Sequence, residues 1–180
     1  IGEYRGKPNL EEFAATLDST GREFGNCLLV VENNSLGISI LEKLQGREYP
    51  NLYYSIKGTH EYIDQIQAEA ISNSVPGFTT SSKTRPLIIA KMEEFIRNKL
   101  ITVYSSRLVD EFKTFIWNNN KAMAMRSYHD DLVMALAIGC WVRDTALTVN
   151  KKDLEYKKAM MNAMQLNTRK LQTTIPGMQG

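Results

Sequence analysis

The chain has 180 residues, 43% of them hydrophobic and 23% charged, with a formal net charge of +2. That is enough for one domain with its own core, and it excludes a disordered tail, a collagen-like fibre and a disulfide-stapled miniprotein. The uncharged run Leu132 to Val142 is too short to cross a bilayer, and no basic segment precedes an apolar stretch at the N-terminus, so neither a membrane partner nor a signal peptide is expected.

Strand and helix signals alternate along the chain. Ile1 to Arg5 is predicted as a short strand. Asn9, with Glu12 three residues on, forms a capping box for a helix whose apolar face is Leu10, Phe13, Ala14 and Leu17. Gly21 and Gly25 are expected to end that region. Cys27 to Val31 is an apolar run without alternation, the pattern of a strand buried on both faces. A helix over Ser35 to Leu44, stopped by Gly46, and a strand over Asn51 to Ile56 follow.

Residues 57–82 read mainly as loops, with a short helix near Glu61 to Ile71. Pro86 suits the first turn of a helix with the stripe Ile88, Met92, Phe95 and Ile96. Leu100 to Tyr104 is predicted as a strand. Ser105 or Ser106 then caps a helix with the stripe Leu108, Val109, Phe112, Phe115 and Ile116. A hairpin is expected around Asn118-Asn119-Asn120, and the last core helix over about Asp130 to Arg143. Trp117 and Trp141 sit in apolar runs and read as core, and Cys27 and Cys140 as buried free thiols in a reducing compartment. Nothing has the spacing of a zinc site, and the two histidines, His60 and His129, are too few for a histidine-based metal centre. The pattern is α/β, with a domain over 1–145 and a basic, partly helical appendage over 146–180.

Two acidic positions stand out. Glu32 ends the apolar strand Leu28-Leu29-Val30-Val31, where α/β proteins often place functional groups. For an isolated Glu, a solvated strand end is the simpler explanation. Asp130 and Asp131 start the most apolar helix, where the helix dipole favours acids. One suffices as a cap, which leaves the other to face a site. Carboxylates of this kind suit Mg²⁺ or Mn²⁺, which take oxygen ligands and bind phosphate oxygens.

Three segments in order carry a resemblance: Val30-Val31-Glu32-Asn33-Asn34-Ser35-Leu36-Gly37, then Thr79 to Pro86, then Tyr128-His129-Asp130-Asp131-Leu132-Val133-Met134-Ala135-Leu136-Ala137. They resemble the C-terminal nuclease domain of tailed-phage terminase large subunits, over most of residues 1–145. The resemblance implies an RNase H-like fold, with a mixed central sheet flanked by helices. It implies metal-dependent cleavage of concatemeric double-stranded DNA during genome packaging, in the cytoplasm of the infected host at the procapsid portal. The family's second acid falls on Glu32 and its third on Asp131, with Asp130 beside it as a further metal-ligand candidate. Its first acid lies on a strand preceding Ile1, so this chain reads as a fragment lacking that strand and impaired in cleavage. An upstream packaging ATPase domain, the portal protein and the terminase small subunit are the implied partners. No G-x-x-x-x-G-K-[ST] run occurs, so no ATP site of that type is expected here.

Charge is distributed unevenly. Residues 1–82 carry 6 basic against 11 acidic side chains, and residues 83–126 carry 9 against 4. A basic middle suits a polyanion approaching from one side, although solvated surfaces fluctuate in the same way. Lys83, Arg85, Lys91, Arg97 and Arg126 are the DNA-contact candidates, with Arg126 also placed to pair with an acid. Lys83 and Arg85 stand on a Ser/Thr-rich loop whose hydroxyls and N–H groups could hold phosphate. The alternatives are another RNase H-like nuclease, of resolvase or transposase type, and a non-catalytic DNA-binding or portal-docking module.

Overall fold

The computed structural model describes residues 2–58, 62–118, 121–145 and 160. The chain divides into two compact units, Ile1–Val142 and Arg143–Gly180. Of the second, residues 143–145 continue a helix and Met160 is helical and exposed; the rest of the expected appendage lies outside the described residues. Among the described residues, no helix is long and apolar enough to cross a membrane.

The first unit is mixed α/β. Residues 2–9 form no regular element, contrary to the expected strand. Their anchor is a side chain: Glu3 accepts from Ser105 Oγ at 2.5 Å and Arg107 Nε at 2.6 Å. Helix α1, Leu10–Glu23, has the expected Asn9 capping box. It runs on through Gly21, which is buried against the Tyr49 ring rather than ending the helix. Helix α2, Ser35–Gly46, is capped by Asn34, whose Oδ1 accepts the Gly37 N–H at 2.9 Å.

Strands β1 (Tyr54–Ile56), β2 (Tyr62–Ile63) and β3 (Ser74–Pro76) form one antiparallel sheet, ordered β2-β1-β3. Between β2 and β3 lies α3, Gln65–Ala70, with a capping box made by Asp64 and Gln67. The strand β3 falls in a stretch expected as loop; its pairing with β1 organises it, and a lone Pro at its end gave no strand signal. Then come α4 (Thr84–Arg97), α5 (Ser106–Thr114), and the hairpin of β4 (Phe115–Asn118) with β5 (Lys121–Ala124). Helix α6 covers 131–145.

The apolar run 28–31 bridges these parts. It makes parallel bridges from Leu29 to Leu52 and from Glu32 to Phe78, which adds parallel pairing to the antiparallel sheet. Its side chains alternate between two cores. Leu28 and Val30 pack on the cluster that holds Ile88, Met92 and Val133; Leu29 and Val31 pack on the cluster that holds Ala14, Ile40 and Leu44. Both faces are covered as the unbroken apolar run predicts, but the run makes isolated bridges rather than the expected strand, and its side chains are half-buried.

Several apolar positions depart from the sequence expectation. Along α4, Ile89 is buried while Ile96 is 41% exposed, so the stripe leans one residue toward the hairpin side. Leu100 to Tyr104 is irregular, yet Ile101 and Val103 pack on the core while Leu100 and Tyr104 face solvent; the side-chain alternation of a strand persists without a paired neighbour among the described residues. Trp117 is 66% exposed rather than core, because β4 projects past the cluster that Phe115 joins. Cys140 is buried as expected, whereas Cys27 is exposed.

Tyr53 lies wholly inside, stacked on Tyr62 at 5.1 Å between centroids, and its hydroxyl has no hydrogen-bond partner among the described residues. Burial first, and the Tyr62 phenol second, push its pKa up to about 12. A phenol raised in this way stabilises the fold below its unfolded pKa, and that contribution is lost as pH rises through about 12. Tyr53→Phe removes an unpaired buried hydroxyl, so it is expected to raise stability by about 1 kcal/mol. It should also flatten the alkaline loss of stability, leaving the part due to Tyr49, whose pKa is pushed up to about 12, first by burial. Urea titrations at neutral and alkaline pH measure both, and a clear loss of stability at neutral pH would show that the hydroxyl is satisfied.

Candidate functional site

Two clefts meet at the start of α6. The first, of about 950 Å³, is lined among others by Glu32, Asp110, Glu111, His129 and Asp131. The second, of about 730 Å³, is lined among others by Ser81, Arg85, Trp117, Lys121, Arg126 and Asp130. Ser127 and Tyr128 line both, so they form the wall between them.

Local rules bring Glu32 and Asp131 together. Strand side chains alternate, so Glu32 shares the face of Leu28 and Val30. That face packs on the cluster containing Val133, which belongs to the first turn of α6. Asp131 starts that helix, and both carboxylates line the first cleft. The Asp131 side chain is 87% exposed, with His129 Nδ1 3.8 Å from its Oδ2. The asparagines beyond Glu32 have structural work: Asn34 caps α2, and Asn33 Nδ2 donates to Pro76 O at 3.2 Å and Thr79 Oγ1 at 2.9 Å.

Neither aspartate side chain is the observed cap of α6. Glu111, from α5, does that: its Oε2 accepts from Leu132 N at 2.8 Å and Val133 N at 3.1 Å. A carboxylate there also complements the helix dipole. Sequence reasoning missed Glu111, since nothing local signals a cap supplied from another helix. Glu111→Ala should leave two N–H groups without this acceptor and lower stability by about 1–2 kcal/mol. Glu111→Gln keeps an oxygen for both and should recover most of that loss. Urea melts of the pair test this, and equal stability of Glu111→Ala and the unaltered chain would refute the capping role.

Asp130 faces the second cleft. Its Oδ2 accepts from Arg85 Nη2 and, at 3.3 Å, from Ala124 N; Arg85 Nε donates to Ala122 O at 2.9 Å. The two side chains are only 17% and 24% exposed, so this pair clips α4 to β5 and to the entry of α6. Asp130 is therefore set apart from Glu32 and Asp131, and Arg85 already holds a carboxylate and a carbonyl.

The remaining cations divide. Lys91 pairs with Glu94 and Arg97 with Glu93 along α4, and neither lines the two clefts. Lys83 and Arg126 are exposed, with no ion-pair partner among the described residues; Arg126 lines the second cleft. The hydroxyls of Ser81 and Thr84 are turned inward, while Ser82 is exposed. Ser81 Oγ accepts from Thr84 N at 3.1 Å, and Thr84 Oγ1 donates to Thr79 O at 2.9 Å. They close the entry to α4 instead of lying open for phosphate.

Glu32 and Asp131 offer hard oxygen donors in a cleft roomy enough for water, which fits Mg²⁺ or Mn²⁺. Among the described residues, no three His, Cys, Asp or Glu side chains converge into a metal-binding group. No protein-family model matches the chain.

Proposed function

We propose that this chain is a metal-dependent endonuclease domain of RNase H-like type, which cleaves concatemeric double-stranded viral DNA during genome packaging. The observation that carries the reading is that Glu32 and Asp131, far apart in sequence, line one cleft. It is supported by the mixed pairing around residues 28–32, and by the resemblance of the segments that end at these acids.

In this reading Glu32 and Asp131, ionised, hold Mg²⁺ or Mn²⁺ through their carboxylate oxygens. When bound, such an ion supplies charge stabilisation for phosphodiester displacement. Glu111 fixes the first turn of α6, and with it the backbone that carries Asp131. The resemblance implies a third acid at such a site, so the reading includes weak cleavage where only Glu32 and Asp131 serve. It also includes an upstream packaging ATPase domain, the portal protein and the terminase small subunit as partners, and action in the host cytoplasm at the portal. ATP binding is assigned to that upstream domain.

A plasmid-nicking assay in Mn²⁺ tests the proposal, run with the chain and with a version extended upstream through the preceding strand. Cutting by the extended version, abolished by chelator, is the expected result. Two folded proteins that bind duplex but never cut would replace this reading with a DNA-binding module. A strong preference for four-way junctions over linear duplex would favour a resolvase.

A further inference from the structure

The second cleft has a chemistry that duplex cleavage does not require. Trp117 is 66% exposed and Tyr128 57% exposed, and both line it. Lys121 and Arg126 line it too, exposed and without ion-pair partners among the described residues. Its lining acid, Asp130, is held by Arg85, so the uncompensated charge of the lining is positive. The first cleft is mixed: Glu32, Asp110, Glu111 and Asp131 line it beside Arg5, Lys7 and Arg107.

We infer that the second cleft binds a short stretch of single-stranded DNA, with Trp117 and Tyr128 stacking on unpaired bases and Lys121 and Arg126 contacting phosphates. Aromatic platforms beside cations are the general means of holding single strands, because every base has a π-face and every nucleotide a charge. The base faces of an intact duplex are covered by their neighbours, so an exposed Trp gains little there. Cross-strand pairing sets Trp117 opposite Ala122 on one face, and this small partner leaves the indole uncovered where β4 passes the edge of the core.

The position of Tyr128 gives the cleft a direction. Tyr128 belongs to the wall shared with the first cleft, and the turn before it is fixed by Tyr128 N donating to Met125 O at 3.0 Å. Ser127 takes φ 70°, a left-handed conformation that a non-glycine residue adopts only when its surroundings hold it. A strand leaving the stacking platform crosses this wall toward Glu32 and Asp131. This link to the acids rests on the nuclease reading; binding in the second cleft does not. The substrate it implies is DNA with a few nucleotides unpaired beside the cut.

The test is titration of the full chain, without metal, with oligo(dT) and with a blunt hairpin duplex, following tryptophan emission. Oligo(dT) is expected to quench emission and to bind more tightly than the duplex. Trp117→Ala should abolish most of the quench, since Trp141 is half-buried in the core, and weaken oligo(dT) binding about tenfold. The double variant Lys121→Ala/Arg126→Ala should reduce the slope of log affinity against log salt by about 1.4, the value for two lost phosphate contacts on a single strand. Unchanged oligo(dT) affinity in Trp117→Ala, or an unchanged salt slope in the double variant, would overturn the inference. No cleavage is measured, so loss of the nuclease reading leaves this result standing, and a chain that cuts plasmid yet ignores Trp117→Ala sinks only the stacking cleft.

Discussion

Asp131→Asn and Glu32→Gln are each expected to lower Mn²⁺-dependent plasmid nicking by about 10³-fold, measured in the longest form of the protein that cuts. The size follows from losing an anionic oxygen donor where charge must be stabilised, since each 1.36 kcal/mol of barrier is about a tenfold change. Asp131 makes this clean, because its side chain is 87% exposed with only a loose approach to His129. Its replacement should alter stability by no more than about 0.5 kcal/mol. Asp130→Asn is the informative contrast. That carboxylate accepts from Arg85 and from the Ala124 N–H, in a partly buried setting. Its loss should cost about 1–3 kcal/mol of stability and reduce cutting only as far as folding is lost. The two adjacent aspartates thus have opposite signatures, and an urea melt beside each nicking assay separates them. Activity near normal in Asp131→Asn would remove the assignment of the first cleft as the cutting site.

Elements governed by neighbours in sequence were the legible ones. The Asn9 capping box, the Ser105 cap and the hairpin around residues 115–124 are decided within a few residues, and they are where the spacing predicts. The unbroken apolar run 28–31 also carried its meaning correctly, since it separates two cores. What was not legible depends on distant partners. Glu111 caps a helix from another helix, and Arg85 finds Asp130 across the hairpin, so the cap and the cation anticipated for the site have other occupations. Trp117 shows the limit of composition: an apolar run told of β propensity, but exposure was set by how far β4 extends beyond the core. Residues 100–104 show the reverse case, a strand-like alternation with no paired neighbour among the described residues. In the candidate site, the acids were visible as acids at element ends, while their division between two clefts required the fold.

Gly37→Ala is expected to destabilise the protein by about 2–3 kcal/mol, although alanine is the better helix former. Gly37 lies in the first turn of α2, where helix propensity alone would favour alanine by about 1 kcal/mol. A Cβ there would stand 1.7 Å from the carbonyl oxygen of Glu32 and 2.9 Å from its carbonyl carbon. Neither is the movable end of a side chain, so the backbone itself must shift. The same residue donates its N–H to Asn34 Oδ1 at 2.9 Å, and that cap would have to move with it. The displaced peptide is the one that carries the Glu32 carboxylate, so cutting should fall further than the lost stability accounts for. Gly46→Ala provides the control on the same helix: it is the last residue of α2, and a Cβ there meets nothing within 4 Å. Equal or greater stability of Gly37→Ala in urea would mean that α2 does not approach Glu32 this closely. A loss of cutting in Gly37→Ala at a temperature where it remains fully folded, with Gly46→Ala unaffected, would tie the start of α2 to the placement of the Glu32 carboxylate rather than to stability alone.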